Sequence, residues 1–384
     1  MGDFVPHSFF RRVTAVMKRI RYIEELNYFN GIACLLVILI HVLSLGVVSL
    51  RPGTWQGFCV FLPWRISQFV VPAFLFSGAV KMSLTFSDLP EEGAAEAQKK
   101  IRRQQSAGYW NYLLERCRTI LLPYAVFFLV YYAAYWAAGL LQPSWNALIR
   151  GFVTGDLSGH FYYIMIVVQF YLLKPVWARM TVSVPWQAGI GAALLVQAAT
   201  AGCLKIFSTF PKDFPYADRF FPLYLFFWIG GLYAGRYYAR LASFLSGHRV
   251  FIFFCGGAVI FSALGMYAQH VQGRYLPMMD GLKILIDSLS ILTLLAVCIG
   301  IKKRRRLKTL LGKISGASYQ VYLSHCLFLT LGTVWLQQAG ILRIGHLLLC
   351  RAAVGYTLPF VLYFLTAKAW EAGRQYCLKR VAGK

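Results

Sequence analysis

The chain alternates between long, continuously apolar blocks and short stretches that hold most of its charge. The blocks fall near residues 29–50, 66–83, 119–141, 161–180, 185–206, 219–240, 249–269, 282–301, 318–338 and 344–368. Each is close to the roughly twenty residues that a helix needs to cross a bilayer. A membrane barrel would show segments of about ten residues alternating apolar and polar, and these blocks do not alternate. The pattern therefore predicts an all-α, polytopic integral membrane protein with about ten transmembrane helices. The first block spans a membrane by length and lacks a small-residue cleavage pattern after it, so it reads as a retained helix rather than a signal peptide.

Charge orients these helices. Lys and Arg number 39 against 14 acids, a net charge of +25. Nucleic acid would be the first partner to consider for a soluble chain this basic. Here the cations concentrate in alternate loops, as in Arg11, Arg12, Lys18 and Arg19, then Lys99 to Arg118, then Arg236 to Arg249, then Lys302 to Lys308, then Arg374 to Lys384. The loops between hold far fewer. Such alternation is the signature of cytoplasmic loops, so both termini are expected inside, in a bacterial-type plasma membrane. Membrane lipid is an expected partner and nucleic acid is not. Three parts follow: a basic cytoplasmic segment at 1–28, a ten-helix domain at 29–368 with a cytoplasmic loop at 84–118, and a basic cytoplasmic tail at 369–384. Residues from Glu91 to Arg118, rich in Ala, Glu, Gln, Lys and Arg, suit a surface helix. The nine cysteines are scattered without metal-ligand spacing or a disulfide framework and read as small core residues.

Ionisable groups inside spans are costly and often functional. His41 lies about twelve residues into the first block, somewhat past mid-bilayer. Either a general base acting on a hydroxyl or a neutral imidazole bonded to another helix fits that place. His325 sits in the ninth block, nearer the cytoplasmic end, and reads as structural when taken alone. His160, at the outer end of the fourth block, reads as interfacial. Lys283 and Asp287 are four residues apart, the spacing of an ion pair on one helical face. Arg351 is inside the tenth block and needs a partner or a wet cavity. Gly231 and Gly235 form a small-xxx-small pattern for close helix packing. Arg116 and Arg118 stand at the mouth of the third block, before Leu122-Pro123-Tyr124.

Five segments in order carry a resemblance. They are Phe29-Asn30-Gly31-Ile32-Ala33 leading to His41, Val71-Pro72-Ala73-Phe74-Leu75-Phe76-Ser77-Gly78, Arg116-Cys117-Arg118, His160-Phe161-Tyr162-Tyr163 with Tyr171-Leu172-Leu173-Lys174-Pro175, and Ser318 to His325. The set resembles acyltransferase family 3, membrane enzymes of about ten helices that move acyl groups, usually acetyl, onto surface sugars and related acceptors. The resemblance implies an O-acyltransferase using acyl-CoA, acetyl-CoA first, with no tightly bound cofactor and no metal. The acceptor is a hydroxyl of a cell-surface glycan or lipid-linked sugar. His41 is the implied base or transient acyl carrier, with Asn30, His325 and Tyr171 as supporting residues and Arg116 and Arg118 as donor-binding residues. One departure is clear: the family's helix 1 Arg is Asn30 here. Another cation such as Arg21 substitutes, the donor or mechanism differs, or transfer is lost. A second class of function fits the same helices, a non-catalytic exporter or flippase of polysaccharide or lipid-linked sugar.

Overall fold

In a computed structural model, residues 23–86, 108–207, 216–274, 278–302 and 304–382 are described. The regular elements among them are all helical. Seven helices are long and apolar enough to cross a membrane: Glu25–Ser49, Trp55–Leu84, Gly108–Ala137, Trp186–Leu204, Arg249–Gln272, Leu282–Ile301 and Ile344–Ala372. The other three expected spans fall on Tyr162–Leu172, Leu225–Arg236 and Arg305–Gln338. The first two are short, and the third begins with a basic turn that lowers its mean hydropathy. Outward-facing Phe253, Phe261, Leu195 and Leu349 are 72–79% exposed. Such a surface is stable against hydrocarbon and not against water.

Helix α1, Glu25–Ser49, is the axis of the bundle. It packs against α13 (Arg305–Gln338), α14 (Ile344–Ala382) and α12 (Met278–Ile301). The approach of α13 depends on Gly31, where a Cβ would stand 2.7 Å from the carbonyl oxygen of Leu311. Two ion pairs close this end: Lys308 to Glu24 at 2.5 Å and Lys302 to Glu25 at 3.2 Å.

The second expected span is broken into α2 (Trp55–Ile66) and α3 (Val70–Leu84), joined by a 3₁₀ turn at Ser67–Phe69. Pro72 lacks the N–H that would bond the carbonyl of Gln68, which places an irregular turn in the middle of the span. Beyond it, α3 meets α9 (Leu225–Arg236) in the most extensive contact of the fold. Gly231 and Gly235 make that contact. A Cβ on Gly231 would lie 2.8 Å from that of Ala79, and one on Gly235 would lie 2.8 Å from the carbonyl of Val80. The small-xxx-small pattern is therefore a packing device.

The remaining elements are α4 (Gly108–Ala137), α5 (Trp145–Thr154), α6 (Tyr162–Leu172), α7 (Lys174–Ser183), α8 (Trp186–Phe207), α10 (Tyr238–Gly247) and α11 (Arg249–Gln272). The expected surface helix at Glu91 to Arg118 lies mostly outside the described residues. From Gly108 onward it is the opening of α4, which continues through a π-helical turn at Cys117–Leu121 into the span.

Candidate active site

Three histidines from distant parts of the chain meet inside the bundle. His41 comes from α1, His160 from the loop entering α6, and His325 from the middle of α13. Ring centroids are 5.0 Å apart for His41 and His325, 5.1 Å for His160 and His325, and 6.2 Å for His41 and His160. His325 is fully buried. Its Nδ1 lies 2.8 Å from the carbonyl of Tyr322 and 3.1 Å from that of Val321. Carbonyl oxygens only accept, so Nδ1 carries a proton and Nε2 of the neutral ring carries the lone pair. That Nε2 faces the Cys326 Sγ at 3.3 Å. His160 is 2% exposed, with Nδ1 3.0 Å from Ser158 Oγ. Its backbone carbonyl accepts the Tyr322 hydroxyl, while its Nε2 is buried with no partner in good hydrogen-bonding geometry among the described residues.

Arg351 holds the helix beneath His41. Its Nη2 donates to the His41 carbonyl at 2.6 Å and its Nε to that of Val42 at 3.4 Å. Its Nη1 reaches the Leu329 carbonyl at 3.3 Å and the Thr333 hydroxyl. The cation expected to need a partner thus spends its donors on backbone oxygens of α1 and α13. At this position the inter-helix bonds go to the His41 backbone, and its half-buried ring lines a cavity.

That cavity has a volume of about 500 Å³. His41, His160 and Tyr322 form one wall. Gln68 at the 3₁₀ turn, Gln197, Tyr162 and Tyr224 add polar groups. Opposite stand Lys283 and Asp287, paired at 2.5 Å, the acid 3% exposed. Gln169 of α6 ties the loop that supplies Tyr224, donating to the Arg219 carbonyl at 2.8 Å and accepting from the Phe221 N–H at 3.3 Å. The space is lined mostly by apolar side chains, among them Val37, Ile40, Val71 and Phe227, with these few donors and acceptors set among them and its acid already paired. It suits a hydroxyl-rich guest of modest size.

A second cluster forms where α4 begins and α6 ends. The Arg116 guanidinium lies over the rings of Tyr112 and Tyr171, at 5.1 and 5.5 Å, and Lys174 Nζ stands 3.8 Å from the centre of the Tyr112 ring. Tyr171 also packs edge-on to Trp228 at 6.0 Å. A Cβ on Gly78 would lie 3.6 Å from Trp228 and 3.9 Å from the Tyr171 hydroxyl. Among the described residues, four buried polar atoms here and on the neighbouring helices α3 and α9 have no partner in good hydrogen-bonding geometry: Arg116 Nε, Tyr112 OH, Trp228 Nε1 and Ser77 Oγ. Two cations held by rings rather than acids, beside several open donors, form a site that favours an anion.

The structure brings His41 and His325 together. Asn30 is buried but lies three helical turns from His41, about 16 Å along the axis. Tyr171 stands with Arg116, away from the histidines. Arg116 turns inward and is half-buried, whereas Arg118 points outward from the π-helical turn. His160, expected at the interface, is instead buried in the cluster because the loop before α6 folds inward. Lys174, Tyr112 and Cys326 were not singled out. Lys174 at least lay within a matched segment, while Tyr112 and Cys326 carried no pattern at all. For a metal, His41, His325 and Cys326 offer donor atoms within 4.8 Å of one another, with the Arg351 guanidinium already bonded beside them.

Comparison with known proteins gives the family. YfiQ of Bacillus subtilis (strain 168), whose name assigns it as a membrane-bound acyltransferase, is 22% identical over 328 residues, covering 82% of this chain and 83% of its own length. No solved structure matches the chain. The profile of the acyltransferase domain matches residues 23–368, a range that takes in both clusters. The chain belongs to acyltransferase family 3 and is a membrane-bound acyltransferase.

Proposed function

We propose that the protein moves an acyl group, acetyl in the first instance, from cytoplasmic acyl-CoA to a hydroxyl of a cell-surface glycan or lipid-linked sugar. The observation that carries the proposal is the half-buried His41 ring on a largely apolar cavity of about 500 Å³ that holds a few polar groups, beside the Nε2 of His160. His41 takes the proton of the acceptor hydroxyl as its oxygen attacks the acyl carbon. The new C–O bond forms, the thioester C–S bond breaks, and the departing thiolate receives the proton. His160 Nε2, when it bears a hydrogen, donates to the acceptor or to the developing oxyanion. The thioester supplies the activation, so the transfer needs no nucleotide hydrolysis. Phosphates of the donor lie against Arg116 and Lys174, and α6 links the two places: Tyr171 and Tyr163 are eight residues, about 12 Å, apart along it.

The topology belongs to the same proposal. Ten spans with both ends in the cytoplasm put the Arg116 cluster inside and the mouth of the cavity outside. An impermeant thiol reagent should fail to reach Gln98→Cys from the outer side. Labelling from outside would reverse the orientation. The activity itself is tested in nanodiscs with labelled acetyl-CoA and glycan acceptors. Wild-type protein should transfer label and His41→Gln, which keeps size and hydrogen bonding, should not. Full transfer by a well-inserted His41→Gln protein would remove His41 as the base.

A further inference from the structure

The acyl-transfer proposal leaves one group beside the histidines without a role. Cys326 Sγ lies 3.3 Å from His325 Nε2. That nitrogen is the lone-pair side of the ring, because Nδ1 is committed as donor to the carbonyls of Tyr322 and Val321. The thiol hydrogen therefore points to a base already fixed in tautomer and orientation, the arrangement that activates a sulfur nucleophile. A ring nitrogen of His41 is within 4.8 Å of the same sulfur. His160 Nε2, also buried, completes the surroundings. Cys326 is 8% exposed and sits among Tyr131, Leu323 and Leu327, where water is scarce and a thioester would be long-lived.

We propose that Cys326 is a covalent acyl carrier, which rests on the acyl-transfer reading above. In the first half, the Cys326 proton moves to His325 Nε2 and the sulfur attacks the acyl carbon of the donor. The new carbon–sulfur bond replaces the donor's own, and the donor leaves as a thiol after taking the proton from His325. One thioester is exchanged for another, so little free energy is lost. In the second half, an acceptor hydroxyl in the cavity loses its proton to His41 and its oxygen attacks the Cys326 thioester. The C–S bond breaks, the ester forms, and the sulfur recovers a proton. No oxidant, reductant or further reactant is required.

The test uses the full chain in nanodiscs with radiolabelled acetyl-CoA and no acceptor, quenched in acid and denatured. Wild-type protein should gain the mass of one acetyl group, released by neutral hydroxylamine and mapped to the peptide holding Cys326. Cys326→Ala should lose that label and slow transfer by about 100-fold. Cys326→Ser covers the case in which alanine unsettles the core. It keeps size and a hydrogen bond and should likewise form no hydroxylamine-sensitive label. His41→Gln should accept the label and fail to pass it on. Wild-type rates in Cys326→Ala or Cys326→Ser would overturn the carrier and leave His41 as base intact. Full transfer by His41→Gln, with labelling still dependent on Cys326, would overturn the base and leave the carrier standing. A metal ion bound stoichiometrically to purified protein and lost with Cys326 would also overturn the carrier, since the sulfur would then be a ligand.

Discussion

The cationic cluster around Arg116 and the histidine cavity around His41 handle charge in opposite ways. In the first, Arg116 and Lys174 rest on the rings of Tyr112 and Tyr171, so their charge is tempered but not cancelled. In the second, Asp287 is paired with Lys283 at 2.5 Å, and Arg351 keeps its charge but spends its donors on the carbonyls of His41, Val42 and Leu329. The groups left over are imidazoles. Uncancelled charge in a site of low polarity attracts a counter-ion. With the acid paired and the guanidinium solvated outside the cavity lining, the imidazoles are the groups left to exchange a proton. One place is suited to hold a polyanion and the other to exchange a proton, which is the division of labour an acyl-CoA-dependent transferase needs.

The largest expected effect breaks the second place alone. His41→Gln should lower kcat by about 10²–10⁴-fold, the range for loss of a general base, with the donor dissociation constant unchanged. Steady-state kinetics and binding of a non-hydrolysable acyl-CoA analogue would show it. A change in donor affinity instead would mean the two places are not separate. Next comes the first place. Arg116→Ala should weaken donor binding by about 10- to 100-fold, as for one charge-assisted contact of roughly 1.5–3 kcal/mol. Arg118→Ala should cost less, because that side chain points outward, and Arg305→Ala least. Titration calorimetry with a non-hydrolysable acyl-CoA analogue ranks them, and equal losses at Arg116 and Arg305 would dissolve the contrast.

A smaller effect sharpens the description of the cavity. Asp287→Asn leaves the Lys283 charge unmatched. Acceptor KM should change by about 2- to 10-fold, as for one ordinary hydrogen-bonding contact, while donor KM stays put. The smallest effect lies outside the spans. Hydrogen bonding to Lys308 holds the Glu24 carboxyl below its ordinary 4.5, and the same bond holds Lys308 above its ordinary 10.5. A depressed carboxyl contributes above its unfolded value and loses that contribution as pH falls through the folded one. A raised ammonium contributes below its unfolded value and loses it as pH rises through the folded one. The contribution of the pair is therefore level between about pH 5 and pH 10. Glu24→Gln should lower the melting temperature slightly at pH 7 and by less as the pH falls through the carboxyl's folded-state range. An equal shift across that range would show that packing, not charge, holds this end of α1.

The helical, membrane-embedded character was legible because long apolar runs admit few other structures in lipid. The length of three expected spans was not legible. The apolar blocks at 161–180 and 219–240 fold as the shorter helices Tyr162–Leu172 and Leu225–Arg236, broken by turns that apolarity does not report, and the block at 318–338 is the second half of a longer helix, Arg305–Gln338, that starts in a basic run. His41 was legible because an imidazole deep in hydrocarbon is conspicuous. His160 was not, because its place depends on an irregular loop that folds inward, and no periodicity reports that. The pairing of Arg116 with Tyr171 and Lys174 was half legible. The segments were noted, but their meeting depends on how α4 crosses α6, which only packing determines. Cys326 was invisible for a different reason: a buried cysteine looks the same in sequence whether its neighbour is a leucine or an imidazole lone pair.

The Arg351 fork has a consequence in time as well as space. It joins residues 310 positions apart, the carbonyl of His41 on α1 and a guanidinium on α14. A ribosome delivers the histidine early and the arginine near the end of synthesis. Until α14 enters the membrane, the backbone under His41 lacks its clamp and the wall beside it is incomplete. A half-made chain in the membrane thus carries its imidazole but not the support that aims it, and truncation before Arg351 should yield a protein that inserts and does nothing.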